Sequence, residues 1–291
     1  MPAYENRYWM SADGLRLHYR DYPGDAARPP LVCLPGLTRN ARDYDALATR
    51  LAGRWRVLAI DLRGRGESAY AKDAASYVPT TYVADVAALL AELDLDRFVA
   101  IGTSLGGIVA MLLAGTTRAR LVAAVLNDIG PEIDPRGLSR IRGYVGRSNS
   151  FPTWMHAARA VWEANAAVYP DWRIEQWLEM AKRLYRLNGA GRIVLDYDMK
   201  IAEPFRVPGN EAGTDMWGAL AALSVTPTLI VRGERSDVLS AAVATRMVAM
   251  LTRAELVTVP GIGHAPTLTE PMLEAPIDRL LAMALDGGTA A

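Results

Sequence analysis

The sequence predicts an α/β fold: a mostly parallel, doubly wound sheet flanked by helices, with a helical cap inserted into it. Three observations lead there. Short, continuously apolar runs recur along the chain, each closed by Pro, Gly or Asp. Segments with apolar residues at helical spacing separate them. From 131 to 213 the helical spacing continues, but no convincing buried strand interrupts it.

The elements follow in order. Leu15-Arg16-Leu17-His18-Tyr19-Arg20 alternates apolar and polar side chains, which reads as a strand with one face in solvent and His18 on that face. The runs at 31–34, 57–60 and 98–101 are apolar throughout, as strands of a parallel sheet covered on both faces are. Helical spacing fills 44–51 and 82–93. Further buried strands are expected at 121–126, 228–231 and 255–259. The predicted organisation is therefore a core of 1–130 and 214–291, with 131–213 as the cap. Within the cap, Trp154, Ala158, Val161 and Trp162 share one helical face, and Ile174, Trp177, Leu178 and Ala181 another.

Composition narrows the function. The 291 residues are 51% apolar and 22% charged, a balance suited to a packed core. Thirty-two basic residues offset 32 acidic ones, so no net field attracts nucleic acid or an anionic membrane. A lone cysteine, Cys33, lies in an apolar strand and reads as a core filler, which excludes a disulfide framework and a Cys-rich metal site. The stretch Met1 to Met10 lacks the basic-then-apolar order of a secretory signal, so a cytoplasmic location is expected. The twenty uncharged residues at 98–117 have the length of a membrane span. Their centre, Gly102-Thr103-Ser104-Leu105-Gly106-Gly107, points instead to a buried strand turning into a buried helix.

That centre is a G-x-S-x-G sequence in a strand-to-helix context, which presents a serine hydroxyl on a sharp turn. The glycines matter because a Cβ beside the turn would clash, and the N–H of Leu105 points to where an oxyanion would form. A hydroxyl needs a base. Of three histidines, His18 is expected on a solvent face and His156 on the polar side of a cap helix. His264, in Gly261-Ile262-Gly263-His264 after the last strand, lies at the sheet edge where sites of open α/β sheets form. The imidazole in turn needs a carboxylate. Asp237, in the loop after 228–231, is the expected acid, with Asp128 and Glu234 as competitors and a turn-capping reading for Asp128. Leu37, first after Gly36 in the loop following strand 31–34, is the expected second oxyanion donor. Asp61-Leu62-Arg63-Gly64-Arg65-Gly66-Glu67-Ser68 lacks a phosphate-loop ending and reads as a structural turn with surface arginines.

Together the Ser104 elbow, Pro35-Gly36-Leu37, the 61–68 turn, Asp237 and Gly263-His264 resemble the α/β-hydrolase fold superfamily, with matches from about 30 to 270. The resemblance implies a Ser104–Asp237–His264 triad, a Leu37/Leu105 oxyanion hole and a helical cap. One departure is Pro35-Gly36 where many members carry His-Gly; a backbone N–H donor survives that change. A serine nucleophile excludes the relatives that open epoxides or displace halide through Asp, because an alkyl ether on serine could not be hydrolysed. Acyl transfer without metal or organic cofactor is the consistent chemistry. A carboxylic-ester hydrolase for small to medium, uncharged, fairly apolar esters is expected, with Trp154, Trp162 and Trp177 as pocket candidates. A C–C bond hydrolase, a lactonase, a perhydrolase and a hydrolase-like binding protein are the alternatives.

Overall fold

The structure, a computed structural model, describes residues 4–117, 120–205 and 215–286. Its strands are β1 (Glu5–Met10), β2 (Arg16–Tyr22), β3 (Leu31–Leu34), β4 (Val57–Asp61), β5 (Arg97–Thr103), β6 (Arg120–Asn127), β7 (Ser150–Phe151), β8 (Tyr185–Leu187), β9 (Ile193–Leu195), β10 (Thr228–Gly233) and β11 (Ala254–Val259). The α-helices are α1 (Asp45–Leu51), α2 (Pro79–Glu92), α3 (Leu105–Ala114), α4 (Pro135–Tyr144), α5 (Trp154–Asn165), α6 (Ile174–Leu184), α7 (Ala202–Phe205), α8 (Met216–Ala221), α9 (Ala241–Met250) and α10 (Pro271–Asp286).

Eight strands form one sheet in the order β1-β2-β4-β3-β5-β6-β10-β11, parallel from β4 to β11, with β1 and β2 antiparallel at one edge. The apolar runs split by their two-residue period. Val32, Leu34, Leu58 and Ile60 face a cluster with α2, α3, α8 and α9. Leu31, Cys33, Val57 and Ala59 face one with α1 and α10. This is the doubly wound sheet that the sequence predicts. The 98–117 stretch is β5, a turn and α3, and among the described residues no helix is long and apolar enough to cross a membrane.

From β3 the chain steps to β4 on one side, then returns to β5 on the other. The loops leaving β3 and β5 therefore diverge at the point where the winding reverses, the crevice where open α/β sheets bind ligands. Leu37 and Ser104 begin there as neighbours.

Two expectations for this part of the molecule are corrected. His18 is 1% exposed. The unforeseen strand β1 pairs with β2, and the His18 ring is held between Asp61 (Nδ1 to Oδ2, 2.7 Å) and Asn6 (Nε2 to Oδ1, 2.9 Å). Nor are the arginines of the 61–68 turn on the surface. Arg63 is buried in a bidentate pair with Asp85 at 2.7 and 2.6 Å and reaches Asp13 with two bonds of 2.9 Å. Arg65, also buried, donates to the Leu37 carbonyl at 2.9 Å and to that of Arg63 at 2.6 Å. A guanidinium can tie several loop carbonyls together because it carries five donors in a fixed fork. The turn is structural as expected, but it works from inside.

Between β6 and α8 the chain builds α4 to α7 and a small antiparallel sheet, β7-β9-β8. These strands, two or three residues long, are too short to leave a period in the sequence. The segment has its own apolar cluster, in which Ala157, Ala158, Val161, Trp177, Met180 and Ala181 of α5 and α6 are buried together. The expected boundary at 213/214 lies outside the described residues.

Candidate active site

Ser104 stands between β5 and α3 with φ 53° and ψ −118°, a conformation outside the ordinary regions for a side-chain-bearing residue. Packing on both sides enforces the turn. A Cβ on Gly102 would lie 2.4 Å from the Gly106 carbonyl oxygen, and one on Gly106 would lie 1.9 Å from that of Leu34. The Ser104 N–H donates to the Asn127 carbonyl at 3.0 Å, pinning the turn to the end of β6. The first-turn amide of Leu105 has no acceptor within its helix. Leu37 lines the same space beside Ser104, its own carbonyl held by Arg65.

His264 arrives on the loop after β11. Its Nε2 lies 3.0 Å from Ser104 Oγ. The loop is fixed from below by Asn127, whose amide donates to the Pro266 carbonyl at 2.8 Å. The inserted segment fixes it from the other side: Gly263 N–H donates to the Val168 carbonyl at 2.9 Å, and the Tyr169 hydroxyl donates to the Ala265 carbonyl. Gly263 permits this approach, since a Cβ there would lie 3.1 Å from the Val168 Cα.

The carboxylate beside the imidazole is that of Asp128. Its Oδ2 is 2.8 Å from His264 Nδ1, its Oδ1 accepts from the Gly233 N–H at 3.0 Å, and its residue is 0% exposed. The expected Asp237 is thereby corrected. Asp237 is turned to Arg140 of α4, which grips it with bonds of 2.5 and 2.7 Å. The reason is the docking of α4. Gly137 packs so tightly on the loop that a Cβ would lie 2.2 Å from the Asp237 carbonyl oxygen, and Asp134 N–H donates to the Val238 carbonyl at 2.9 Å. Arg140, about one turn beyond Gly137, then meets the Asp237 side chain. Burial alone would raise the Asp237 pKa, but the Arg140 hydrogen bonds and charge, with a smaller contribution from His264, hold it below the usual value. Glu234 is exposed and accepts from the Gly261 N–H at 2.7 Å. His156, also exposed, contacts Thr153.

Asp128, a competitor already visible in the sequence, directly follows the buried strand β6 and so stands at the same sheet edge as His264.

A cavity of about 300 Å³ opens over Ser104 and His264, between the core and α4, α5 and α6. None of Trp154, Trp162 or Trp177 lines it. Trp177 is buried in the cluster of the inserted segment, and Trp162 is 46% exposed on the far side of α5. The wall is built instead by Val161, Tyr169, Met180 and Tyr185, together with four arginines: Arg39, Arg140, Arg147 and Arg183. The pocket expected from Trp154, Trp162 and Trp177 is thus also corrected: other apolar side chains line it, and four arginines join them. A second recess of about 50 Å³ meets Ser104 from the other side, lined by Leu105, Ile108, Ile129 and Val238.

Comparison with known proteins identifies the family. A model of the alpha/beta hydrolase family matches residues 31–282. A 3-hydroxybutyrate-oligomer hydrolase of Cupriavidus necator is 37% identical over 271 residues, covering 90% of this chain and 92% of that protein. A 2-(acetamidomethylene)succinate hydrolase of Mesorhizobium japonicum is 26% identical and covers 81% of each. The crystal structure of an alpha/beta hydrolase from Novosphingobium aromaticivorans is 60% identical, with a TM-score of 0.93 over 97% of this chain and 99% of that one.

Proposed function

The chain belongs to the alpha/beta hydrolase family, and on that premise we propose that it hydrolyses carboxylic esters through Ser104, His264 and Asp128. The observation that carries the reading is the unbroken line from Ser104 Oγ to His264 Nε2 at 3.0 Å and from His264 Nδ1 to Asp128 Oδ2 at 2.8 Å. Hydroxyl, base and orienting acid within hydrogen-bond reach are what activation of a serine requires.

Ser104 Oγ attacks the ester carbonyl while His264 Nε2 takes its proton. Asp128, already accepting from Gly233, keeps the imidazole in the tautomer whose Nε2 is free to accept and stabilises the imidazolium that forms. The N–H groups of Leu37 and Leu105 receive the oxyanion, each contributing on the order of 3 kcal/mol to lowering the barrier. His264 returns the proton to the departing alcohol oxygen, and the acyl group remains on Ser104. Water, deprotonated by His264, then attacks the acyl carbonyl; Ser104 leaves with the proton and the acid is released.

The substrate is a small ester. A cavity of about 300 Å³ is at the lower end of small-molecule sites, and the recess of about 50 Å³ beside Ser104 has room for a short alkyl branch. Both features suit a short oligoester of a hydroxy acid, the kind of compound in the name of the Cupriavidus necator relative. Turnover of 4-nitrophenyl butyrate tests the mechanism. Ser104→Ala should reduce it to background, and a fluorophosphonate should add its mass to the peptide carrying Ser104. Undiminished turnover by Ser104→Ala would end this reading.

A further inference from the structure

The four arginines of the cavity differ in what they already hold. Arg39 is committed to Asp43, with bonds of 2.6 and 2.5 Å, and Arg140 to Asp237. Arg183 and Arg147 are not committed. The Arg183 guanidinium makes no hydrogen bond or ion pair with any described residue, and its Nε is shut off from solvent without a partner. Asp43, on which the Arg183 charge acts, is already paired with Arg39. The Arg147 guanidinium, more exposed, is likewise unpaired among the described residues. Leaving a cation part-buried and unsatisfied costs stability, so such a group is a natural place for an anionic ligand.

The Arg183 backbone is held in place while its head is free. Its carbonyl, at the end of α6, accepts from Asn40 Nδ2 at 2.8 Å and from Arg42 Nη2 at 2.9 Å. Asn40 and Arg42 belong to the loop that also carries Leu37. The Arg183 backbone is thus fixed in relation to the loop of Leu37, although it comes from the inserted segment. Across the cavity, the recess beside Ser104 is wholly apolar on its Ile108, Ile129 and Val238 side.

We propose that Arg183, assisted by Arg147, binds a carboxylate on the substrate, and that the enzyme is specific for esters with a free acid group beyond the scissile bond. The inference rests on the ester-hydrolase reading for the identity of that bond, but not for the presence of the anion site. Arg183 determines specificity; it takes no part in proton transfer. A hydroxy-acid dimer satisfies the arrangement, with its ester at Ser104 and its terminal carboxylate at the guanidinium.

The test uses the linear dimer of 3-hydroxybutyrate and the same dimer capped as its methyl ester, following cleavage of the internal ester by chromatography. Wild-type enzyme should prefer the free acid, and Arg183→Gln should reduce the ratio of the two kcat/KM values at least about tenfold, mainly through KM. Arg183→Lys should restore part of the ratio. A purely structural role for Arg183 would depress both substrates alike, and an unmoved ratio overturns the proposal. Should the Gln variant not fold, added salt must weaken cleavage of the free acid by the unaltered enzyme and not of the capped dimer; equal salt effects overturn it too. Calorimetric binding of the free-acid dimer to Ser104→Ala, compared with Ser104→Ala/Arg183→Gln, reads the anion site without chemistry. Equal binding by the two proteins overturns the anion site. A binding difference without any turnover by the wild type would keep the anion site and discard ester hydrolysis.

Discussion

The floor and the roof of the cavity are built on different principles. On the floor, contributed by the sheet, the reacting groups are paired: Ser104 with His264, His264 with Asp128, and Asp128 with Gly233. Asn127 and Arg65 tie the flanking loops, each with one buried polar atom left over. On the roof, contributed by the inserted segment, Arg140 is paired but Arg147 and Arg183 are left without partners among the described residues. A reacting group must be held to within a fraction of an ångström, and a chain of hydrogen bonds through the reacting side chains does that. A recognition group keeps its binding capacity for the ligand. The difference fits the proposed division, with the reaction in the core and the choice of substrate in the insertion.

That division can be broken at several points. The largest effect belongs to the floor: Ser104→Ala or His264→Ala should lower kcat for an activated ester by at least about 10⁴-fold. Next, Asp128→Asn should cost about 10³ to 10⁴-fold, because the Gly233 N–H holds the one amide oxygen and the NH2 then faces Nδ1, favouring the wrong tautomer. Asp237→Asn should cost less than about tenfold, since that carboxylate serves Arg140. Steady-state kinetics of the two Asn variants on one substrate decides between the acids. If Asp237→Asn proves the more damaging, the contrast between floor and roof fails.

Stability offers a smaller contrast. Arg63→Met leaves Asp85 buried without its guanidinium and should destabilise the fold by about 3 to 5 kcal/mol in urea denaturation. The half-exposed Asp237–Arg140 pair should contribute no more than about 1 kcal/mol. Its sign with pH is determined. The Asp237 pKa is lower in the folded protein than in the unfolded chain, so its stabilisation is present above the unfolded value of about 4 and fades as pH falls below it. Unfolding curves of Asp237→Asn and wild type should therefore differ at pH 7 and converge in acid.

Much of this was legible in the chain. The runs at 31–34, 57–60 and 98–101 announced buried parallel strands because burial on both faces demands apolar residues at every position. Gly102 and Gly106 announced the serine turn because no other residue fits beside it. His264 stood out as a lone imidazole just after two glycines, in the loop that follows a strand. His18, Arg63 and Arg65 were misread, since polar side chains look solvent-facing until their buried partners are known. The tryptophans were misread as well: their helical spacing showed that a face is covered, not what covers it.

What the amino-acid order determined by itself, then, is the sheet, its winding and the loops that reach its rim, because these follow from local periods and from steric limits on single residues. Tertiary structure alone chose between two aspartates on adjacent rim loops. Asp128 meets the imidazole because Gly233 steadies it there, while Asp237 is drawn off by an arginine almost a hundred residues away in sequence. Hydrogen bonds reach only about 3 Å, so which pairs form depends on how distant segments dock.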